Sequence, residues 1–544
     1  MGDAALLGWH STDEPQSRAA VTQDQLPPLR PQPQARHLSH RRKPPPQSRP
    51  RPAPRQLEVP LRTARRTEGS DGQAAAPSAT ARSALPHQSP DPRPPASLMT
   101  QRTRAPRREI FGWAMFDFAN SAYTTLIITV VFGDLFTRVI VGDAPDYKLG
   151  NLLWSLALAV SYLMVVVCSP IVGAIIDYRA AKKRFLFASY LLTVVTTAML
   201  YWVAPGYAWL GVVLLILSNF AFSIGESFIA SFLPSLGPPE DLGKISGFGW
   251  ALGYIGGMAS ALFVVLLLGE VSAENFEHIR WVGPWTAFFF LAAAIPTFIW
   301  LREPGVARSL PPGASYVRLG LDRVRQTLTH LKDHRDLAVL LVAVFFSMSG
   351  ISIIITYAFI YGAQVIGWDE SVRTLMFVLV QITAAAGAFG FGFVQDRIGA
   401  LRTYLLTLVL WILAILLIYL TPAIAAAAQT RLGLDWQAQY VFLMVGCVAG
   451  TSLGACQSTT RTLVGLFSPL SRSAEMFGFW GLSMKLAGVF GLLAIGLLQA
   501  LFGLHKAVLF CILLFVAAFL VARAVDETRG RRIAAEHDTG VRAW

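Results

Sequence analysis

The chain has 544 residues, of which 54% are hydrophobic and only 15% charged, and its formal net charge is +13. A soluble domain carries about 25% charged residues, so this composition argues against a water-soluble enzyme. The basic excess sits in an N-terminal tail and in short loops between apolar runs, a placement that fits a membrane surface better than nucleic acid.

Residues 1–98 contain 18 of the 32 prolines, no Phe, Tyr, Ile or Cys, and a single tryptophan, Trp9. Such a segment buries too little apolar surface to offset its chain entropy, so a disordered Pro/Arg-rich tail is expected. An alternative is that translation starts at Met99. The apolar patch Ala4 to Trp9 is too short for a signal-peptide core.

From Ile110 onward, apolar segments recur at 110–132, 150–176, 185–203, 210–233, 245–268, 285–301, 337–361, 372–394, 403–420, 439–467, 476–502 and 507–525. Each is long enough to cross a bilayer as a helix, which makes twelve spans. An even count puts both termini on one side, and Lys/Arg in short loops decides which side that is. Arg179, Lys182, Lys183, Arg184, Lys244, Arg397, Arg402, Arg472 and the basic stretch Arg302 to Arg335 fall on one side. Arg138, Lys148, Arg280, Arg373, Arg431 and Lys506 fall on the other. The richer side is expected to be cytosolic, with both termini, in a plasma (bacterial inner) membrane.

The stretch between the sixth and seventh spans repeats Val317, Leu321, Val324, Leu328 and Leu331 at helical spacing, with Arg and Lys opposite. That pattern predicts an amphipathic helix lying on the surface. The expected organisation is therefore a tail (1–98), a six-helix bundle (99–301), a basic linker (302–336), a second bundle (337–525) and a C-terminal tail (526–544). Internal correspondences support duplication. Gly173 to Asp177 follows the second span as Gly392 to Asp396 follows the eighth; Glu226 precedes Pro234 by the interval at which Arg461 precedes Pro469; and Gly247 and Gly478 open related glycine-rich spans. A duplicated unit places the working site between halves, near mid-membrane. Cys168, Cys447, Cys456 and Cys511 lie singly in apolar stretches, so no disulfide, metal or cofactor is expected.

Gly392-Phe-Val-Gln-Asp396-Arg397-Ile-Gly399-Ala-Leu-Arg402 resembles the G-x-x-x-D-R-x-G-x-x-R loop of the major facilitator superfamily, at the place of its second copy. The first copy departs from the pattern, with Tyr178 for Arg and Ala180 for Gly. The resemblance implies an all-α fold of two pseudo-symmetric six-helix bundles, with Asp177, Asp396 and Arg397 as a conformational latch; plain helix capping is the alternative for the two aspartates. Three further stretches, Trp113 to Tyr123, Ser246 to Gly257 and Gln457 to Arg461, are similar to the autophagy-related vacuole effluxer family. What that likeness implies is amino-acid export.

Charges inside hydrocarbon cost at least about 2.5–3.5 kcal/mol, so each must face the interior and find a partner. Asp117, Asn120, Ser121 and Thr124 form one polar stripe on the first span, expected to line a cavity. Glu226 and Arg461 stand at symmetric places on the fourth and tenth spans and are expected to pair in one state; a static ion pair, or a guanidinium holding a substrate carboxylate, are the alternatives. Lys485 stands near mid-membrane and should be neutral unless Asp117, Glu226 or substrate compensates it. Gln381, Gln457, Asn219 and Tyr254 add neutral hydrogen bonds, expected chiefly as helix contacts. Gly249, Gly253 and Gly257 repeat every four residues and predict close helix packing, as Gly387, Gly390 and Gly392 do less regularly.

The leading reading is a secondary transporter, not an enzyme, that rocks between two states around one site, with Asp117 or Glu226 titrating to couple a proton gradient to solute movement. Its partners are a small polar solute, protons and lipid, and it is expected to act as a monomer without nucleic acid. The absence of a GxxxxGK[ST] loop argues against ATP binding by this chain. A non-transporting receptor or scaffold, or a transporter of drugs, sugars or lipids, are the other readings; a lipid-modifying enzyme lacks HExxH or paired histidines.

Overall fold

The computed structural model describes residues 103–142, 147–305, 307, 315–330, 334–433 and 436–539. The expectations for the tail and for Leu331 lie outside these residues. Among the described residues, twelve helices are long and apolar enough to span a membrane. In the first half they are α1 (Arg107–Val141), α2 (Lys148–Arg179), α3 (Lys182–Trp202), α4 (Ala208–Ser235), α5 (Leu242–Val264) and α6 (Phe276–Trp300). The linker helix α7 (Tyr316–Thr329) follows. The second half comprises α8 (Arg335–Ile366), α9 (Glu370–Ile398), α10 (Ala400–Arg431), α11 (Ala438–Phe467), α12 (Leu470–Phe502) and α13 (Leu504–Ala522), and a short helix α14 (Glu527–Asp538) ends the described chain. The fold is the all-α arrangement of two six-helix halves that the hydropathy pattern predicts.

Several helices outrun their apolar segments. α10 has 32 residues, about 48 Å at 1.5 Å per residue, whereas a hydrocarbon core is about 30 Å thick. Backbone groups leaving the lipid continue the helical ladder rather than break it. Both halves open with a helix that ends in wide π-type turns, Tyr123–Val130 and Leu135–Val141 in α1 and Gly362–Ile366 in α8. Leucines such as Leu163, Leu266, Leu493 and Leu513 remain largely exposed, as lipid-facing side chains must. Small residues set the close contacts: a Cβ on Gly256 of α5 would strike the Phe118 carbonyl of α1, and one on Gly454 of α11 would strike that of Ala384 in α9.

The end of the bundle carrying the α2–α3, α4–α5, α9–α10 and α11–α12 turns, the linker and the C-terminal helix is the basic end. Two carboxylates tie each half to itself there. Glu303, just beyond α6, accepts the Lys182 and Lys183 amides that open α3 (2.8 and 2.7 Å). Its counterpart Glu527, just beyond α13, accepts those of Ala400 and Leu401 that open α10 (3.4 and 2.8 Å). A second matched pair adds to this. Glu109 in the first turn of α1 accepts from the Arg302 amide (3.1 Å), and Asp336 in the first turn of α8 accepts from the Asp526 amide (2.8 Å) and from both sides of the Arg529 fork (2.7 Å each).

Burial raises the Glu303 carboxyl above its ordinary value, outweighing the lowering by the Lys183 and Lys182 amides and their charges. A carboxyl whose folded pKa is raised contributes stability below its unfolded pKa and loses it as pH rises through the folded one. Glu303→Gln should therefore flatten the stability profile over the mildly acidic range above the ordinary carboxylate value, while costing about 1 kcal/mol of capping. Thermal unfolding of the purified protein across that range measures both effects.

Candidate functional site

Between the halves lies a cavity of ≈ 280 Å³. Its first-half wall is polar, built from Asp117, Asn120, Ser121, Thr124 and Thr125 of α1 and Glu226 of α4. Its second-half wall is mostly apolar, with Ile354 and Phe359 of α8, Phe377 of α9, Trp411 of α10, Phe442 of α11 and Trp480 of α12. The polar stripe predicted on the first span therefore does line a cavity. Past Tyr123 the π turns change its register, and Thr129, whose hydroxyl donates to the Thr124 carbonyl five residues back (2.8 Å), extends it toward the end opposite the basic one.

Arg461 forms the floor. It is 2% exposed, and three of its donors are engaged: Nη1 with Asp117 Oδ2 (2.6 Å), Nε with Ser246 Oγ (3.1 Å) and Nη2 with the Ser246 carbonyl (2.8 Å). Its guanidinium also lies over the rings of Trp113 (4.6 Å) and Trp250 (5.1 Å), positions where an aromatic face attracts a cation. Trp113 is held in turn by its indole N–H on the Ile229 carbonyl (2.7 Å). Asp117 lies ten residues into α1, about 15 Å from the basic end. A carboxylate and a guanidinium from opposite halves thus meet inside the bundle and neutralise one another.

The expected Glu226–Arg461 pair is not formed. Arg461 is taken by Asp117 and Ser246, and Glu226 pairs instead with Lys485 of α12 (3.1 Å). The symmetry argument misses because α1 brings its own carboxylate to the floor, leaving Glu226 to the lysine one helix further on. Lys485 Nζ also lies over the Tyr162 ring (5.3 Å). Glu226 keeps a third of its side chain exposed, so this second pair borders the cavity rather than being sealed beneath it. Both pairs put the acid in the first half and the base in the second.

Among the neutral polar residues, Asn219 is the helix contact expected, with Nδ2 on Ser161 Oγ (2.6 Å) inside the first half. The other three bridge the halves. Tyr254 donates its hydroxyl to Gln457 Oε1, Gln381 Nε2 reaches the Tyr254 carbonyl (3.4 Å), and all three line the cavity. Ser121 donates back to the Asp117 carbonyl (2.8 Å). The glycine stripe of α5 makes room for these groups. A Cβ on Gly249 would lie 2.6 Å from Asp117 Oδ2 and 2.7 Å from Arg461 Nη2, one on Gly253 3.1 Å from Ser121 Oγ, and one on Gly257 2.8 Å from Thr125 Oγ1. On α9 the expectation holds for Gly387 and Gly392, which approach Thr451 and Gly243, but Gly390 faces open space.

The latch aspartates cap helices after all, but each caps a helix of the other half. Asp177 Oδ2 accepts the Glu475 amide at the start of α12 (2.9 Å); Asp396 accepts the Gly243 and Lys244 amides at the start of α5 (3.1 and 3.2 Å). A carboxylate at a helix N-terminus meets unpaired N–H groups and the positive end of the dipole. Lys182 Nζ stands 3.4 Å from Asp177, and Lys244 Nζ 3.4 Å from Asp396. Arg397 takes no part: it is exposed and has no bonded partner among the described residues. Its charge is replaced at the latch by Lys244. A Cβ on Gly173 would collide with the Ala474 carbonyl and one on Gly247 with that of Ala388, so both crossings are closed to backbone contact. The halves are therefore joined at the basic end while the cavity runs toward the other.

Sequence reasoning missed the aromatic wall, Ser246, and the buried Glu475 at the latch. Tryptophans and phenylalanines on a lipid-facing helix read the same as those in a cavity. Glu475 did carry a signal, since it answers to Lys244 in the other half with the opposite charge.

Twelve spans in two related halves, closed around a charged central cavity, define a transporter of the major facilitator superfamily. The chain belongs to the vacuole effluxer Atg22-like family, whose model matches residues 239–535; the general major facilitator model matches residues 39–261. It is 25% identical over 425 residues to an MFS-type transporter, YxiO, of Bacillus subtilis, covering 76% of this chain and 94% of that protein. It is also 25% identical over 301 residues to autophagy-related protein 22-1 of Aspergillus niger, covering 53% of this chain and 48% of the fungal one; the match thus spans about half of that relative's length. In fold it resembles the proton:xylose symporter XylE, with a TM-score of 0.58 at 14% identity over 78% of this chain and 97% of that one.

Removing one member of a buried ion pair strands the other and costs about 3–5 kcal/mol. Asp117→Ala should lower stability on that scale, and the neutral double variant D117N/R461Q should recover most of it. Thermal unfolding in detergent compares the two, and equal stability of Asp117→Ala and the parent protein would remove the pair from the list of necessary contacts.

Proposed function

We propose that the chain is a proton-coupled exporter of small zwitterionic solutes, with amino acids carrying an apolar side chain as the first class, working from the basic, cytosolic end of a plasma (bacterial inner) membrane. The observation that carries this reading is the pair of acid–base contacts, Asp117–Arg461 and Glu226–Lys485, that cross between the halves beside one cavity. A solute bearing both an amine and a carboxylate offers each pair a substitute partner. Its carboxylate suits the planar fork of Arg461 or the ammonium of Lys485, and its amine suits Asp117 or Glu226.

The rest of the cavity fits the remainder of such a molecule. Ile354, Phe359, Phe377 and Phe442 offer an apolar slot for a side chain, and the Trp411 and Trp480 indole N–H groups are buried with no hydrogen-bond partner among the described residues. Protonating either carboxylate removes one of the attractions between halves, which gives the proton a different affinity for the two states, the condition for coupling. The family's effluxer description supports the direction, and the concentration of Lys/Arg at one end supports the orientation.

The test is transport by protein reconstituted in liposomes, screened with radiolabelled amino acids against sugars and organic anions. Asp117→Asn and Glu226→Gln should abolish accumulation driven by a pH gradient while preserving exchange of labelled for unlabelled solute. Arg461→Lys should reduce apparent affinity by tenfold or more, because a point charge does not replace a bidentate fork. Full concentrative transport in both carboxylate variants would overturn the coupling scheme, and saturable transport confined to sugars or anions would overturn the substrate class.

A further inference from the structure

The two latches at the basic end are built alike in backbone and differently in charge. Lys244 and Glu475 hold matching positions, each giving its amide to the latch aspartate of the opposite half. Lys244 also brings a cation to Asp396, but Glu475 brings a second carboxylate to Asp177. That carboxylate is fully buried, and two like charges this close need cations from elsewhere. Lys182 supplies one, to Asp177. Arg472 supplies another, with Nη1 3.7 Å from Glu475 Oε2.

The third comes from the linker. Arg323 of α7 is 7% exposed; its Nε lies 3.8 Å from Glu475 Oε2 and its Nη1 donates to the Ala174 carbonyl of α2 (3.3 Å). One turn on, Thr327 bonds Glu475 Oε1 and accepts from Arg472 Nη1 (3.3 Å). Gly320, one turn before, lets α7 lie directly on α2, where a Cβ would be 2.9 Å from Ile175 and 3.0 Å from the Ile171 carbonyl. So the linker helix is docked across the α2–α12 seam, and it docks by the face bearing Gly320, Arg323 and Thr327 rather than by its apolar one.

That leaves the apolar strip unpartnered. Val317, Leu321 and Leu328 are 60%, 48% and 54% exposed. At 100° per residue they lie about a quarter turn from the docking face, and Arg318 and Arg325, both exposed, lie roughly a further quarter turn on, opposite the protein. The exposed polar residues Asp322 and Gln326 complete the circuit. The helix lies along the flank of a membrane span: Ile171 is eight residues inside the end of α2 at Arg179, about 12 Å along that helix. A helix beside the bundle with one side on protein, an apolar strip at right angles and arginines facing outward has the arrangement of an interfacial segment, its leucines in the acyl boundary and its arginines among phosphates.

We propose that α7 is a lipid-responsive clamp: anionic phospholipid headgroups bound by Arg318 and Arg325, with Val317, Leu321 and Leu328 in the membrane boundary, hold α7 on the α2–α12 seam, where Arg323 neutralises Glu475, Thr327 hydrogen-bonds it, and together they keep the basic end closed. The occupant of the apolar strip is the anionic leaflet itself. The inference requires only membrane insertion and is independent of the solute carried.

Hydrogen exchange of the full chain in nanodiscs of phosphatidylcholine alone, or of phosphatidylcholine with phosphatidylglycerol, tests it. The anionic lipid should slow exchange about tenfold or more across 316–329, given the attraction of two arginines to a charged surface, and should also slow it at the adjoining ends of α2 and α12. R318Q/R325Q, altered only at exposed positions, should match the parent in phosphatidylcholine and lose the response to phosphatidylglycerol. R323Q should speed exchange at both helix ends roughly tenfold or more in either lipid, as loss of a buried charge-assisted contact requires. Parent protein indifferent to phosphatidylglycerol, or R318Q/R325Q responding as the parent does, would overturn the lipid contact. Unchanged exchange at α2 and α12 in R323Q would overturn the clamp.

Discussion

Ionised groups in hydrocarbon have to be matched, and this molecule matches them between its two halves. Asp117 with Arg461, Glu226 with Lys485, and the latch carboxylates with helix N-termini all join the first six spans to the last six. Within each half, the spans meet through small residues, apolar packing and neutral bonds such as Asn219–Ser161, with carboxylate caps at the basic end. The ion pairs at membrane depth beside the cavity, by contrast, cross between the halves. A transport cycle in this fold amounts to exchanging such contacts one set for another.

The cavity has a division of labour that follows from this. Its charges come from α1, α4 and α11, and its apolar surface mainly from α8 to α12. The glycine stripe of α5 is what allows the two charges at the floor to meet, since Gly249 leaves no Cβ where Asp117 and Arg461 touch. Packing and chemistry are thus not separable here: the residue with no side chain determines where the reactive ones lie.

Much of the fold was legible because lipid imposes a simple code. Runs such as 439–467 and 476–502 reappear as α11 and α12 with small changes at their ends, since hydropathy marks the span and the helix merely continues past it. The site was partly legible. Rare polar residues in apolar runs, Asp117, Glu226, Arg461 and Lys485, announced themselves, whereas their pairing did not, because the space in which Asp117 meets Arg461 is left by Gly249 of α5 and is not encoded in the symmetry of the halves. The linker shows a different failure. Its apolar strip is exposed, and the contact that docks it runs through Gly320 on α2 and through Arg323 and Thr327, whose partner Glu475 lies 148 residues beyond Thr327.

The matched caps Glu303 and Glu527 have a consequence for how work is distributed over a cycle. Each fastens the third helix of its half to the segment that leaves the sixth, so these bonds look the same whichever way the halves tilt. The bonds that must be broken and remade are those crossing the midline. Keeping that number small, and near neutral in charge, leaves the parts that tilt intact while the contacts between them are exchanged.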